Sequence, residues 1–346
     1  MEMVRIAIGT VKGAFFAEGS GDRWEFGEPA FPGWEVTAFG SDSDGNPLLA
    51  TGSSWYGTSI HRRGDDGAWS QLPEGPAYPE GLGRKLNQIW TLERFGDELW
   101  AGVDEAGLFK SSDNGEKWEA VEGLNEHPTR EHWQPGFGGL CAHRLLSDEE
   151  HRRMWVGISA VGVFRSEDGG ETWAPFNEGV EKAAPDERAP DIGFCVHGLA
   201  ADPAQPDTIW RQDHMGVYRT ADGGDHWERI EEGLPATFGF PVVRDAGSGR
   251  IFVMPLEGGE NRTTGGRLSP YLSTDGGDSW QPAGKGLPEY PVYTGVLRGA
   301  MVGDGAGTIA FGTTAGTLHV SEDAGDSWFN LDLTLPRILA VAVETA

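Results

Sequence analysis

The stretch SEDGGETW, Ser166–Trp173, places an acidic residue and two glycines shortly before a tryptophan. SSDNGEKW (Ser111–Trp118), TADGGDHW (Thr220–Trp227), STDGGDSW (Ser273–Trp280) and SEDAGDSW (Ser321–Trp328) fit the same template, Ser/Thr-x-Asp-x-Gly-x-x-Trp. Two worn copies come earlier, RGDDGAW ending at Trp69 and GSGDRW ending at Trp24. The seven tryptophans are spaced by 45, 49, 55, 54, 53 and 48 residues. A period of that size marks a repeat architecture with one supersecondary unit per repeat. Each template position has a physical job. Ser and Asp side chains bond the backbone of a tight turn. Gly supplies the positive φ such a turn needs. The Trp opens the next strand and brings a large apolar face to pack. Strand-like sequence flanks each copy, as in GVFRSEDGGETWAPF. The motif therefore predicts a β-hairpin turn repeated seven times.

Composition agrees. The 346 residues include 53 Gly and 14 Trp, as expected for many short strands and tight turns. The chain has no run of 18 apolar residues, so no membrane-spanning helix is expected. The opening MEMVRIAIGTVKGAFF lacks the charged, apolar and small-residue succession of a signal peptide and reads as a strand. With two cysteines and no export signal, the expectation is a cytoplasmic protein with free thiols. The net charge of −27, from 54 acidic against 27 basic residues, disfavours nucleic acid and anionic lipid as partners. It leaves a small polar ligand as the expected partner.

The template resembles the Asp-box, or BNR repeat, of sialidases, sortilin-type receptors, some glucan-cleaving glycosidases and a photosystem assembly factor. The resemblance implies a β-propeller with the box in the turn between the third and fourth strands of each blade, away from the usual active face. A second resemblance lies in HPTREHWQPGFGGLCAHRL (His127–Leu145), CVHGL (Cys195–Leu199), PLEGGENR (Pro255–Arg262) and FGTTAGT (Phe311–Thr317). These strings are similar to bacterial single-propeller Asp-box proteins labelled glycosyl hydrolase or exo-sialidase. The expected fold is thus a single all-β, seven-bladed β-propeller over residues 1–346. Blade four reads as LCAHRLLS, RMWVGIS, GVFRSE and TWAPFN. The C-terminal RILAVAVET has no box after it, and the N-terminal segment lacks an inner strand. The two are expected to pair, Arg337–Val343 with Arg5–Gly9, so that no sheet edge stays free.

Strand alternation puts the long connectors and the turns between second and third strands on one face. Loops on a rigid scaffold are where function usually sits. Two Cys-x-His strings, Cys141-Ala-His143 and Cys195-Val-His197, start inner strands there, 54 residues apart. Residues i and i+2 share a strand face. His143, His197 and His214, with Gln212, are candidate metal ligands, because imidazoles beside a carboxylate or amide suit Zn or Mn. Glu257, Asp213, His132, Arg262 and Arg298 are candidate catalytic residues. Trp55, Tyr56, Asp104, Glu105, His127, Trp133 and Asn261 are candidate substrate-binding residues. The same histidines also fit metal-free acid–base roles, or plain hydrogen bonding along a wet channel. Cys141 and Cys195 read most simply as small buried apolar residues.

Classical sialidase activity is not expected, since Val4-Arg5-Ile6-Ala7 fits the arginine motif of that family poorly. The expected function is metal-assisted hydrolysis or lysis of a small polar, sugar-like or anionic substrate. A non-catalytic ligand- or protein-binding scaffold and a metal-free glycosidase using paired carboxylates are the alternatives.

Overall fold

The computed structural model describes residues 3–182, 188–257 and 266–345. Its strands form seven antiparallel four-stranded sheets. Among the described residues, helix is confined to Glu122–Asn125 and the 3-10 turn Arg130–His132. None of it is long and apolar enough to cross a membrane.

Contacts divide the chain into two compact units. One holds blades one, five, six and seven. Blade one has the order β28 (Ile338–Thr345), β1 (Val4–Thr10), β2 (Gly13–Ser20), β3 (Arg23–Phe26). The C-terminal strand is therefore innermost, with Arg5 opposite Glu344 and Gly9 opposite Ala340. The two ends pair as expected, but the strand runs Ile338–Thr345, so Arg337 falls outside it and Arg5 faces Glu344. Blade five comprises β16 (Gly198–Asp202), β17 (Gln205–Gln212), β18 (Val217–Thr220) and β19 (Glu228–Arg229). Blade six comprises β20 (Gly239–Arg244), β21 (Ile251–Pro255), β22 (Tyr271–Ser273) and β23 (Gln281–Pro282). Blade seven comprises β24 (Met301–Gly303), β25 (Ile309–Gly312), β26 (Leu318–Ser321) and β27 (Phe329–Asn330). Ile6, Ile8, Phe252, Phe311, Val320 and Ile338 are buried in its core.

The second unit holds blades two to four and the segment that leads into β16. Blade two comprises β4 (Glu35–Ser41), β5 (Pro47–Ser53), β6 (Gly57–Arg63) and β7 (Trp69–Gln71). Blade three comprises β8 (Gln88–Phe95), β9 (Glu98–Asp104), β10 (Gly107–Ser111) and β11 (Glu119–Ala120). Blade four comprises β12 (Ala142–Asp148), β13 (Arg153–Ile158), β14 (Gly162–Ser166) and β15 (Ala174–Pro175). Trp100, Val156, Ile158 and Phe164 are fully buried there.

The repeated turn is built as its residue types suggest. The Ser166 hydroxyl donates to Asp168 Oδ1 at 2.8 Å and accepts from the Gly170 amide at 2.8 Å. Asp168 Oδ1 also accepts from the Glu171 and Thr172 amides at 3.0 and 2.9 Å. The same bonds recur around Asp113, Asp222, Asp275 and Asp323. Gly170 has φ 91°, and a Cβ there would come within 2.4 Å of the Trp100 ring, so glycine is required twice over. The tryptophans lie at the start of the outer strands: Trp69 begins β7, Trp173 stands just before β15, and Trp24 is the second residue of β3.

Burial pushes the Asp168 carboxyl up, but the bonds from Thr172, Ser166 and Glu171 outweigh it and hold it at about 2. Asp168→Ala is expected to cost roughly 1–2 kcal/mol of stability, as for other lost turn bonds. Because the folded pKa lies below the unfolded one, that contribution is present above the usual carboxylate range. It fades as pH falls toward about 2. Chemical denaturation of both proteins across acid pH checks this: the gap should close on acidification. A gap that stays constant would refute the turn-bond account.

Candidate functional site

The inner strands share one irregularity. In β4, β8 and β12 the pairing slips past Thr37, Trp90 and His143, leaving each as an extra, bulged residue. His197 stands at the matching place just before β16, its amide bonded to the Gln212 carbonyl at 2.8 Å. Bulges re-aim side chains, and here they aim them at a neighbouring backbone. Thr37 Oγ1 donates to the Ile89 carbonyl at 2.7 Å. His143 Nε2 bonds the Val196 carbonyl at 2.7 Å, and His197 Nδ1 the Gly239 carbonyl at 2.6 Å. Each accepting carbonyl belongs to the residue before the next position in the series: Ile89 before Trp90, Val196 before His197, Gly239 before Phe240. The recurrence of Cys-x-His thus has a structural basis: the two histidines repeat one staple. A carbonyl only accepts, so the proton sits on Nε2 of His143 and on Nδ1 of His197. His143 is buried and meets the Trp90 ring edge-on at 6.4 Å.

The turn after β17 positions the next group. Asp213 Oδ1 accepts from the Met215 and Gly216 amides at 2.6 and 2.9 Å. Its Oδ2 pairs with Arg211 Nε at 3.1 Å, both side chains fully shielded from solvent. Burial pushes the Asp213 carboxyl upward, against the pull of Arg211. The turn so held presents His214, half-buried, with its ring 4.7 Å from that of His197. Phe238 packs 5.3 Å from His197 and 4.8 Å from His214. Phe240 lies 4.9 Å from His197, and the Arg298 guanidinium sits over the Phe240 ring, 5.2 Å from its centroid.

The remaining expected site residues are placed as follows. Gln212 is buried, its amide nitrogen on the Asp213, Gly216 and Thr237 carbonyls. Glu257 is half-buried just past β21. Asn261 and Arg262 lie outside the described residues. In the other unit, Trp133 is buried at 5% exposure in the core, its indole bonded to Thr129. His127 bonds Thr129 and faces Phe164 edge-on at 5.1 Å, and burial pushes its imidazole down. His132 ends the 3-10 turn, 3.5 Å from Glu131. Asp104 pairs across a bridge with Cys141, and burial pushes its carboxyl up. Glu105 stands 3.8 Å from Arg130. Trp55 and Tyr56 are exposed at 90% and 79%, with Tyr56 5.6 Å from Trp34.

Two parts of this arrangement were not singled out in sequence: Arg211, which pairs with Asp213, and Phe238, which packs against both histidines.

Seven four-stranded antiparallel sheets define the class as a seven-bladed β-propeller. Within it, blade five carries a histidine pair walled by phenylalanine. No family model matches the chain. A curated relative is the oligoxyloglucan-reducing end-specific xyloglucanase of Emericella nidulans, 26% identical over 236 residues. That match covers 58% of this chain and 27% of the relative, so the chain spans about a quarter of that protein's length. Among solved structures, YCF48 bound to D1 peptide is similar with a TM-score of 0.56 at 13% identity, covering 86% of this chain and 84% of that one. An ancestral GH74 enzyme is similar with a TM-score of 0.56 at 14% identity, covering 90% of this chain and 38% of that one.

Proposed function

We propose that this propeller is a hydrolase or lyase of a small polar, sugar-like substrate, working with a divalent metal, zinc or manganese, at blade five. The observation that carries the reading is the His197–His214 pair, 4.7 Å apart, with the His197 tautomer set by Gly239. A neutral imidazole so oriented is the form that binds metal. A bound metal would polarise a substrate oxygen or activate water. Glu257 is proposed as base, because the Asp213 carboxylate is already spent on Arg211 and two amides. Arg298, beside the Phe240 wall, would hold an anionic or hydroxyl group. The partial similarity to a xyloglucan-cleaving enzyme supports a sugar-like substrate.

The test is release of new reducing ends or unsaturated products from a panel of neutral and uronate-containing oligosaccharides. His214→Ala should lower turnover by about 100-fold or more. Activity unchanged in that variant, or no product from any substrate, would overturn the reading. A second reading, a binding scaffold, is favoured by Phe137 at 92%, Trp55 at 90% and Tyr56 at 79% exposure. Tyr56, next to Trp55, stands 5.6 Å from Trp34, and clustered exposed aromatics of this kind mark interaction sites. An inactive chain that still captures a partner, and loses it on Trp55→Ala, would select the scaffold.

A further inference from the structure

We propose that blade two carries a binding platform for uncharged pyranose sugars, formed by Trp55 and Tyr56 and braced by Trp34. The proposal rests on the sugar-like substrate of the reading above. It goes further by placing a sugar contact on blade two and by naming the uncharged class. A short turn builds the platform. β5 and β6 pair as far as Ser53 opposite Gly57, so Ser54, Trp55 and Tyr56 form a three-residue turn between them. Ser53 Oγ accepts the Trp55 amide at 3.2 Å, and Gly57 takes φ 75° where the turn ends. Tyr56 leans on half-buried Trp34, with ring centroids 5.6 Å apart and planes 38° from parallel. Trp55 and Tyr56 themselves stand in water.

Chemistry selects the occupant. An aromatic face in water gains by shedding the water over it. A pyranose with equatorial hydroxyls offers a flat patch of C–H bonds of matching size, with hydroxyls around its edge. The Trp55 indole N–H and the Tyr56 hydroxyl have no hydrogen-bond partner among the described residues, so each is available to such a hydroxyl. Glu35, next to Trp34 at the head of β4 and opposite Gly52, is exposed and has no partner among the described residues either. A carboxylate accepts hydroxyl protons and repels an anionic group. The net charge of −27 acts in the same direction. Two other occupants fit less well. Two aromatic side chains bury about 150–250 Å² each, below the roughly 800 Å² per partner of a stable protein interface. Trp34 and Tyr56 close on each other, which leaves no gap between their faces for an ammonium group.

The experiment titrates the full chain in a calorimeter with cellohexaose, with hexagalacturonate and with tetramethylammonium separately. We expect cellohexaose to bind, and the other two to give no comparable heat at the same concentration. Trp55→Ala and Tyr56→Ala should each weaken cellohexaose by about tenfold, through loss of one stacked ring. Trp55→Phe should recover most of that affinity, because a ring face remains. Both Trp55 variants should keep the parent's melting temperature, since that ring lies outside the core. No cellohexaose binding, equal binding of hexagalacturonate or tetramethylammonium, or affinity unchanged in both alanine variants would each overturn the proposal. So would a protein partner lost on Trp55→Ala by a chain that binds no cellohexaose. Because the readout is binding, cellohexaose held at the platform without turnover of any oligosaccharide would sink the hydrolase or lyase reading alone. Turnover by the parent, with cellohexaose affinity unmoved in both alanine variants, would sink the platform alone.

Discussion

Removal of residues 338–346 is expected to collapse the unit that contains blade one. The deleted strand β28 is the inner strand of that blade, paired along Val4–Thr10. Ile338, Ala340 and Val341 are buried at 0%, 5% and 6% exposure, and Ile338 and Val341 share a core cluster with Ile6 and Ile8. The Val341 amide also bonds the Gly299 carbonyl at 2.8 Å. Burying each large aliphatic contributes about 1.5–3 kcal/mol. The loss of two such side chains and one ladder is on the order of 5 kcal/mol, comparable with the whole stability of many domains. The bared edge of β1 would also invite aggregation. The truncated protein should be largely insoluble, or melt roughly 10 °C or more below the parent. A synthetic peptide of residues 338–346 should restore soluble, folded protein in trans. A truncated chain with unchanged melting would show that the inner strand contributes nothing.

Arg211→Met should be among the most destabilising single substitutions in blade five. It leaves the Asp213 carboxylate at 0% exposure without its countercharge. Removing one partner of a buried pair typically costs about 3–5 kcal/mol, because the stranded charge is not solvated. Combining it with Asp213→Asn should recover most of the loss. The amide oxygen can still accept the Met215 and Gly216 amides, and no charge remains buried. Urea denaturation of the parent, both single variants and the double variant gives the coupling directly. A double variant as unstable as the sum of the singles would mean that Arg211 acts through its packing against Trp227, 5.8 Å away, and not through charge.

The repeat made the blades legible. Ser, Asp, Gly and Trp at fixed offsets act within a few residues, so their bonds are the same wherever the turn occurs. Ser166, Asp168 and Gly170 do in the structure what their spacing implied. The pairing of the two ends could be read because a segment followed by no repeated turn and a blade without an inner strand needed each other. The site was legible only in part. His197 and His214 were drawn from positions in the repeat, and they meet because β16 and β17 pair.

What each histidine does was decided by tertiary contacts. His143 and His197 occupy matching places and make matching staples, yet with different ring nitrogens, Nε2 and Nδ1. The acceptor is a backbone carbonyl more than 40 residues away, and no local pattern specifies which nitrogen will face it. The same holds for Trp133, expected at a binding surface and found in a core. Asp213 likewise looked available for chemistry in the sequence RQDHMG, and the fold commits it to Arg211 and its own turn. The hairpins and their number follow from the residues alone, because turn chemistry is local and repeats. Burial, tautomer and charge pairing follow from the assembled fold, because they depend on which backbone and which charge another strand brings alongside.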